Sequence, residues 1–340
     1  MTQSKLAPEA NPPASTPKIN RPPSNRRSQL ASASRFALPV LLLIFIIIFS
    51  ILEPSTFATV DNARTILSTQ SVLALVALGA LMTLVIGEFD LSIGAQMGLS
   101  ALLLPGLSAN GAVSIPVAIV LSIVATTLVG LCNGLLVAKA KVNSFIATIG
   151  TAALIGAIVL AYSGGTVIFQ GVPAELLAIS SWAPLGIPGP IVYVAIISLL
   201  VWIVLKRTPF GRYMSAVGGS KDAARLSGIN TDRVTIVTFM LAGTLAGIAG
   251  VVQAGQLGSG NPAVGPSFLL PAFAAVFLGA TAYYVGQFNV WGTITAVLTL
   301  ATGVAGLNLM GLPSWVEPAF NGFALLIAVA LTRYLRGKPL

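Results

Sequence analysis

Long apolar runs separated by short polar breaks fill the chain from about residue 36 to residue 334. A helix that crosses a bilayer needs roughly 20 apolar residues, with about 17 as the lower limit. By that measure the pattern predicts ten spans, at 36–52, 69–86, 92–108, 113–138, 144–162, 188–206, 234–254, 268–285, 287–308 and 315–333. Pro105 and Gly106 shorten the third run, and almost nothing separates the eighth from the ninth. The expected fold is an all-α integral membrane protein of about ten transmembrane helices. One interval breaks the rhythm: residues 206–233 form the longest charged stretch between two apolar runs.

Composition supports this reading. The 340 residues are 56% hydrophobic and 8% charged, whereas soluble domains carry about 25% charged residues. The positions of the 18 Lys and Arg matter more than the net charge of +9. With the N-terminus placed in the cytoplasm, the inner side receives the tail (Lys5, Lys18, Arg21, Arg26, Arg27, Arg35), Lys139 and Lys141. It also receives six cations of 206–233 (Lys206, Arg207, Arg212, Lys221, Arg225, Arg233) and the C-terminal Arg333, Arg336 and Lys338. Arg64 alone falls outside. The positive-inside rule favours this arrangement, with an even number of spans and both termini cytoplasmic. The outer loops carry Glu53, Asp61, Glu175 and Glu317. Charges at the ends of spans orient helices, so the positive balance predicts membrane lipid as the surroundings and no nucleic-acid partner.

The expected organisation is a disordered, basic, Pro-rich cytoplasmic tail (1–35), a transmembrane domain (36–334) with a cytoplasmic loop at 207–233, and a short cytoplasmic C-terminal tail (335–340). The N-terminal tail is too long and Pro-rich for a signal-peptide leader, so the first span reads as a retained anchor. The longest outer segment, 163–187, is rich in Gly, Ser and Pro, with a helical patch at Ala174–Ser181. The stretches 87–101 and 279–296 each place a Gly-rich polar break before a small-residue helix, a faint internal repeat. Five spans per half would invert the second copy relative to the first.

Candidate chemistry is sparse. The chain has no histidine, and its one cysteine, Cys132, lies inside an apolar run. No G-x-x-x-x-G-K-[ST] occurs, so no P-loop binds ATP, and the acids are too few and scattered for an enzyme site. Glu88 and Asp90 sit in GEFDLSIG between the second and third spans. A carboxylate at the centre of a spanning helix costs about 2.5–3.5 kcal/mol, so both belong at an interface, a helix break or an aqueous cavity. Asp90 can cap the third span, and the alternative is a part in transport or gating. Asn133 and Asn143 flank the inner half of the fourth span and suit interhelical bonding or a polar path. Gly243-x-x-x-Gly247 suits close helix packing. Within 206–233, Thr208–Arg212 turns the chain out of the sixth span. Ser220 can cap a short helix over Lys221–Ser227, with Asp222 in its first turn and Gly228 ending it. A turn, a helix and a stop exceed what orientation of spans requires, and they predict a docking element.

Several ordered blocks resemble the permeases of ribose-type sugar ABC importers. They are Arg207-Thr208-Pro209-Phe210-Gly211-Arg212, Ala216-Val217-Gly218-Gly219, Ala223-Ala224 and Ser227-Gly228-Ile229, with Gly87–Gly94, Asn133-Gly134 and Val142–Gly150. The resemblance covers about residues 38–335. It implies a type II ABC importer-like fold in a bacterial inner membrane. It also implies a second permease copy or paralogue, two cytoplasmic ATPase subunits holding ATP and Mg, an extracytoplasmic sugar-binding protein, and no cofactor on this chain. The ATPase-coupling residues it implies are Thr208, Phe210, Gly211, Arg212, Gly218, Gly219, Lys221, Ala223, Ala224, Arg225, Ser227 and Gly228. The translocation path or gate would then draw on Glu88, Asp90, Ser92, Asn133 and Asn143. Departures from the family pattern are Glu88 in place of a glycine, Gly279–Gln287 in place of a second Gly-rich block, and Leu270-Pro271 where an acid is usual. The expected cargo is a monosaccharide. A nucleoside or branched-chain amino acid permease, or a proton-coupled secondary transporter, are the competing readings.

Overall fold

The computed structural model describes residues 36–284 and 286–336. The expected N-terminal tail and residues 337–340 lie outside them. All regular elements among the described residues are helical, and the one extended pairing is an isolated bridge between Ile168 and Gly260. In lipid, backbone N–H and C=O groups have no water to bond, and a helix satisfies them within its own segment.

The principal helices are α1 (Ala37–Leu52), α2 (Val60–Thr69), α3 (Ser71–Val85), α4 (Ile93–Ser108), α5 (Ile115–Ala138) and α6 (Ser144–Ser163). After them come a short α7 (Ala178–Ser181), α8 (Gly189–Arg207), α9 (Pro209–Gly219), α10 (Lys221–Leu226) and α11 (Thr231–Leu257). The chain ends in α12 (Leu269–Gly279), α13 (Val290–Leu309) and α14 (Val316–Arg336). Among the described residues six stretches are long and apolar enough to cross a membrane: Val60–Val85, in which α2 and α3 meet at Gln70, and α5, α6, α8, α11 and α13. Ala37–Leu52, Gly265–Gly279 and Val316–Leu331 are apolar but shorter.

One predicted boundary needs correction. The eighth run was expected to continue to 285 and the ninth to start at 287, but α12 stops at Gly279 and α13 starts at Val290. The apolar residues between them are folded back instead. The Asn289 side-chain amide donates to the carbonyls of Gly279, Ala282 and Gln287, and its Oδ1 accepts from Gly292 N–H at 2.7 Å. One buried side chain thus closes the connection and caps α13.

The bundle is built around α3, whose residues Ser71 to Leu84 are all buried. The helices α4, α11, α12 and α13 pack about it and are buried along most of their lengths. The outer helices keep an apolar face exposed, as at Ile47 (α1), Leu128 (α5), Leu154 (α6) and Leu200 (α8). This is the surface a helix shows to hydrocarbon, and it explains why the spans carry little polar contrast between faces. The outer segment 163–187 is folded onto the bundle. Ile168 and Gly260 exchange both backbone bonds at 2.8 Å, Leu176 is buried, and Trp182 Nε1 donates to the Tyr193 hydroxyl at 2.7 Å.

Because lipid is as apolar as a side chain, helices associate by close contact rather than by escape from water. At the α5–α11 crossing a Cβ on Gly130 would collide with the Phe239 carbonyl, and one on Gly243 with the Thr126 carbonyl. Gly150 on α6 has nothing within 4 Å of its added Cβ position. Gly243→Ala is therefore expected to lower the thermal unfolding midpoint of the detergent-purified protein, by overpacking worth about 1–3 kcal/mol. Gly150→Ala should leave that midpoint unchanged or slightly raised, since alanine favours a helix. Equal midpoints for the two variants would show that the α5–α11 contact does not hold the bundle together.

Candidate functional site

Three features carry polar chemistry: the folded segment 208–228, a buried polar cluster at the start of α4, and a cavity at the other end of α3.

The segment after α8 is more structured than expected. Thr208–Arg212 is not only a turn; it opens α9, a helix of 11 residues. The Thr208 hydroxyl donates to Val204 O at 2.6 Å and accepts from Gly211 N–H at 3.3 Å, while Pro209 occupies the first helical turn. The Thr-Pro start and the spacing of Phe210, Met214 and Val217 were the legible signals; the glycines at 211, 218 and 219 masked them. Gly211 is buried beneath the end of α8, where a side chain would meet the carbonyls of Val204 and Leu205. The second helix follows the expected pattern. Ser220 Oγ accepts from Ala223 N–H at 3.3 Å, α10 spans Lys221–Leu226, Ser227 follows it, and Gly228 turns the chain with φ +83°.

This helical pair is fixed to the bundle on its inner side. Gly218 lies so close to the C-terminal end of α3 that a Cβ there would collide with the Val85 carbonyl. Lys221 Nζ pairs with Glu88 at 3.2 Å, in the connection between α3 and α4. Ala224 is buried and Phe210 half-buried. Arg212, Gly219, Ala223, Arg225, Ser227 and Gly228 are exposed on the other side, with Leu226 91% exposed among them. Leu226 was not among the residues singled out from sequence, because an isolated leucine there looks like part of the helix's apolar face. Just after the segment, Asp232 pairs with Lys141 at 2.9 Å and Lys139 at 3.5 Å, tying the α5–α6 turn to the start of α11.

The second feature joins Asp90, Ser92 and Asn133, all 0% exposed. Asp90 Oδ1 accepts from Ser92 N–H at 3.0 Å and from the Ser92 hydroxyl at 2.5 Å, and Oδ2 accepts from Gln96 Nε2 at 3.1 Å. Asn133 on α5 donates to Ser92 Oγ at 2.9 Å and accepts from the Thr151 hydroxyl at 2.7 Å on α6. Asp90 thus holds Ser92, the residue that precedes α4, without bonding the helix's own first-turn N–H groups, while the cluster links α4, α5 and α6. Gln96 and Thr151 were missed as members, because neither sits in a recognisable block. The α3–α4 connection is also held by α6: Phe89 N–H donates to Ser144 Oγ at 3.2 Å and Leu91 N–H to Thr148 Oγ1 at 3.0 Å. Phe89 itself stacks on Phe273 and Phe277. Asn143 stands apart, exposed, and caps α6 through Phe145 N–H at 3.0 Å. The five residues expected together therefore divide into a buried trio, a docking partner (Glu88) and a helix cap (Asn143).

The third feature had no motif to announce it. A cavity of about 710 Å3 opens at the N-terminal end of α3, roughly 22 Å along that helix from Gly218. Its walls come from the α2–α3 junction, α7, the ends of α11, α13 and α14, and the start of α12. Gln70, Ser180, Gln253, Gln256, Glu317 and Asn321 contribute to its polar lining, with several Ser and Thr hydroxyls beside them.

Lipid-facing helices around an internal polar frame, with a folded polar segment gripping the central helix at one end and a cavity at the other, define a multi-span membrane permease. The chain belongs to the family described as the permease component of branched-chain amino acid transport systems, whose profile matches residues 62–329. It is a permease subunit of an ABC importer, a multi-pass protein of the bacterial inner membrane, and its family works with ATPase and substrate-binding partners. The ribose import permease protein of Haemophilus influenzae is 37% identical over 308 residues, covering 88% of this chain and 94% of that protein. The corresponding ribose permease of Bacillus subtilis is 36% identical over 293 residues (86% and 90%), and the D-allose permease of Escherichia coli 30% identical over 295 residues (87% and 90%).

Removing Asp90 strands the Ser92 and Gln96 donors in a dry interior, and each unpaired buried group costs about 1–3 kcal/mol. Asp90→Ala is expected to lower the thermal midpoint well beyond Asn143→Ala, which loses an exposed cap worth about 1 kcal/mol. A milder effect at Asp90 than at Asn143 would sink the reading of Asp90 as a structural keystone.

Proposed function

We propose that this chain forms the translocation path for a monosaccharide in a binding-protein-dependent ABC importer, and that the pair α9–α10 is its coupling element. The sugars for which the relatives are named, ribose and D-allose, support the cargo. The observation that carries the coupling role is the two-sided nature of α9–α10. One side grips α3 and its exit through Gly218 and the Lys221–Glu88 pair; the other offers Arg212, Arg225 and Leu226 to a partner.

In this reading the chain has about ten spans, with both termini and the 207–233 segment cytoplasmic. The shorter apolar helices α1, α12 and α14, together with α4, join the six long stretches as spans. Segments assigned to one face by the charge alternation lie together: α10 meets the α3–α4 connection, and the α5–α6 turn meets the start of α11. ATP and Mg belong to the partner ATPase; this chain binds neither. The ATPase seats on the exposed side of α9–α10, an extracytoplasmic sugar-binding protein delivers cargo to the opposite face, and a second permease copy or paralogue completes the path.

Movement then has a short route. A push on α10 reaches Glu88 directly, and Glu88 lies two residues before Asp90, whose cluster fixes the relative positions of α4, α5 and α6. Asp90, Ser92 and Asn133 act as the frame that moves as a unit. They do not line an open channel.

The Lys221–Glu88 pair allows a direct test. Lys221→Glu places two carboxylates together and should reduce ATP-driven D-ribose uptake by the reconstituted transporter severalfold. Adding Glu88→Lys should recover a substantial part of it, and the ATPase subunit should remain bound throughout. Reversing the outer charges (Arg212→Glu with Arg225→Glu) should instead release the ATPase. Full uptake in that double reversal would remove α9–α10 from the coupling role, and uptake of L-leucine in place of D-ribose would overturn the cargo.

A further inference from the structure

We infer that the cavity at the N-terminal end of α3 is a sugar-binding site inside a single permease chain, used by an uncharged polyhydroxylated molecule of monosaccharide size. The inference rests on the sugar reading above and adds a place where the permease itself holds the cargo.

Size permits it: about 710 Å3 lies within the range of pockets that enclose small ligands, about 300–1,000 Å3. The chemistry of the lining is more telling. Gln253 on α11 is 7% exposed and Asn321 on α14 is 8% exposed. Both line the cavity, and neither side chain has a hydrogen-bond partner among the described residues. Their amide atoms are open to the cavity rather than sealed inside the bundle, where the buried unpartnered side-chain atoms among the described residues are Gln96 Oε1, Ser198 Oγ and Thr235 Oγ1. Two such groups from different helices facing one cavity describe a site that a hydrogen-bonding ligand completes. Each amide offers two donors and an acceptor, and each sugar hydroxyl is both donor and acceptor, so the two match without any proton transfer.

The neighbouring groups refine the class. Gln256 is already engaged, donating to Ser68 O at 2.7 Å and to Ser71 Oγ at 3.3 Å. The Ser180 hydroxyl donates to Val252 O at 3.2 Å, which fixes α7 against α11. These bonds hold the rim and leave Gln253 and Asn321 for a ligand. Among the described residues Glu317 is the only charged one of the lining, and a carboxylate can accept from two adjacent hydroxyls. No Lys or Arg among the described residues lines the cavity. A phosphorylated sugar, or the carboxylate of an amino acid, would therefore enter beside Glu317 with no cation to pair it, at a high desolvation cost. Phe268 and Leu300 give apolar walls for the C–H faces of a pyranose or furanose ring.

The test measures binding of tritiated D-ribose and D-allose to the full-length chain in lipid nanodiscs. It compares the unmodified protein with Gln253→Leu, Asn321→Leu and Ala301→Leu, the last of which fills the cavity without removing a polar group. Saturable binding of at least one sugar, weakened about tenfold or more by each substitution with thermal unfolding unchanged, is the expected result. Binding that all three variants retain would place the sugar elsewhere and overturn this inference while leaving the sugar reading intact. Absence of saturable binding to the unmodified chain overturns it equally, and ATP-driven uptake by the assembled transporter then decides the sugar reading separately. If Gln253→Leu or Asn321→Leu unfolds, Ala301→Leu decides.

Discussion

A polar group at bilayer depth must find its partner within the protein, because lipid offers none. Asp90 meets that constraint with three donors on Ser92 and Gln96, and the arrangement fixes much else. Ser92 and Gln96 are pulled to the first turn of α4. Ser92 in turn receives Asn133 from α5, and Asn133 receives Thr151 from α6. Three helices that lack any strong hydrophobic reason to choose one another are therefore held in one register by a chain of bonds that ends on a single carboxylate. Asn289 does similar work at the far end of the sequence, closing the α12–α13 connection. In both places a buried polar side chain organises the connection between two consecutive helices.

Close packing supplies what those bonds cannot. The glycines at 130 and 243 let α5 and α11 approach until backbone meets backbone, and the same device at Gly218 brings the α9–α10 pair against the exit of α3. The consequence is mechanical. α3 is buried along its length, so it cannot bend into lipid when its inner end is pushed. Displacement at Gly218 or Glu88 must appear either as movement of the whole helix or as rearrangement of the α3–α4 connection. In the proposed coupling role, a helix held in this way carries movement between the α9–α10 pair and the cavity at its other end.

These properties were unequally legible in the sequence. Helix existence and approximate limits followed from apolar length, since a span must be both helical and apolar. The cap at Ser220 and the stop at Gly228 were readable because their chemistry is local. The end of α12 was not, because 280–285 is apolar enough to continue a span and only Asn289, several residues away, folds it back. The start of α9 was hidden because three glycines lower helix propensity in a segment that packing nevertheless holds helical. Asp90 was expected to cap α4, whereas it bonds the side chains of Ser92 and Gln96 and the Ser92 N–H before the helix; the cluster members Gln96 and Thr151 were not readable, because their roles depend on which helices become neighbours. The cavity had no local signature at all: Gln70, Ser180, Gln253 and Asn321 lie far apart in the chain and meet only when the bundle closes.

Asp90 and Gln253 are both polar side chains buried in an apolar bundle, but they differ in whether the protein completes them. Asp90 has its donors, so its burial stabilises one arrangement of helices and resists change. Gln253 and Asn321 have no protein partner among the described residues and face the cavity, where a hydrogen-bonding guest can pair with them. Had evolution needed only stability at the N-terminal end of α3, leucines at 253 and 321 would have served better, as they do at Leu73 and Leu300 on the same walls. Retaining two unpaired amides beside a rim already fixed by Gln256 and Ser180 makes sense where the missing partners arrive with the cargo. A transport protein must also let that cargo go, and two amides with one carboxylate bind without the tight pairing that a buried cation would impose.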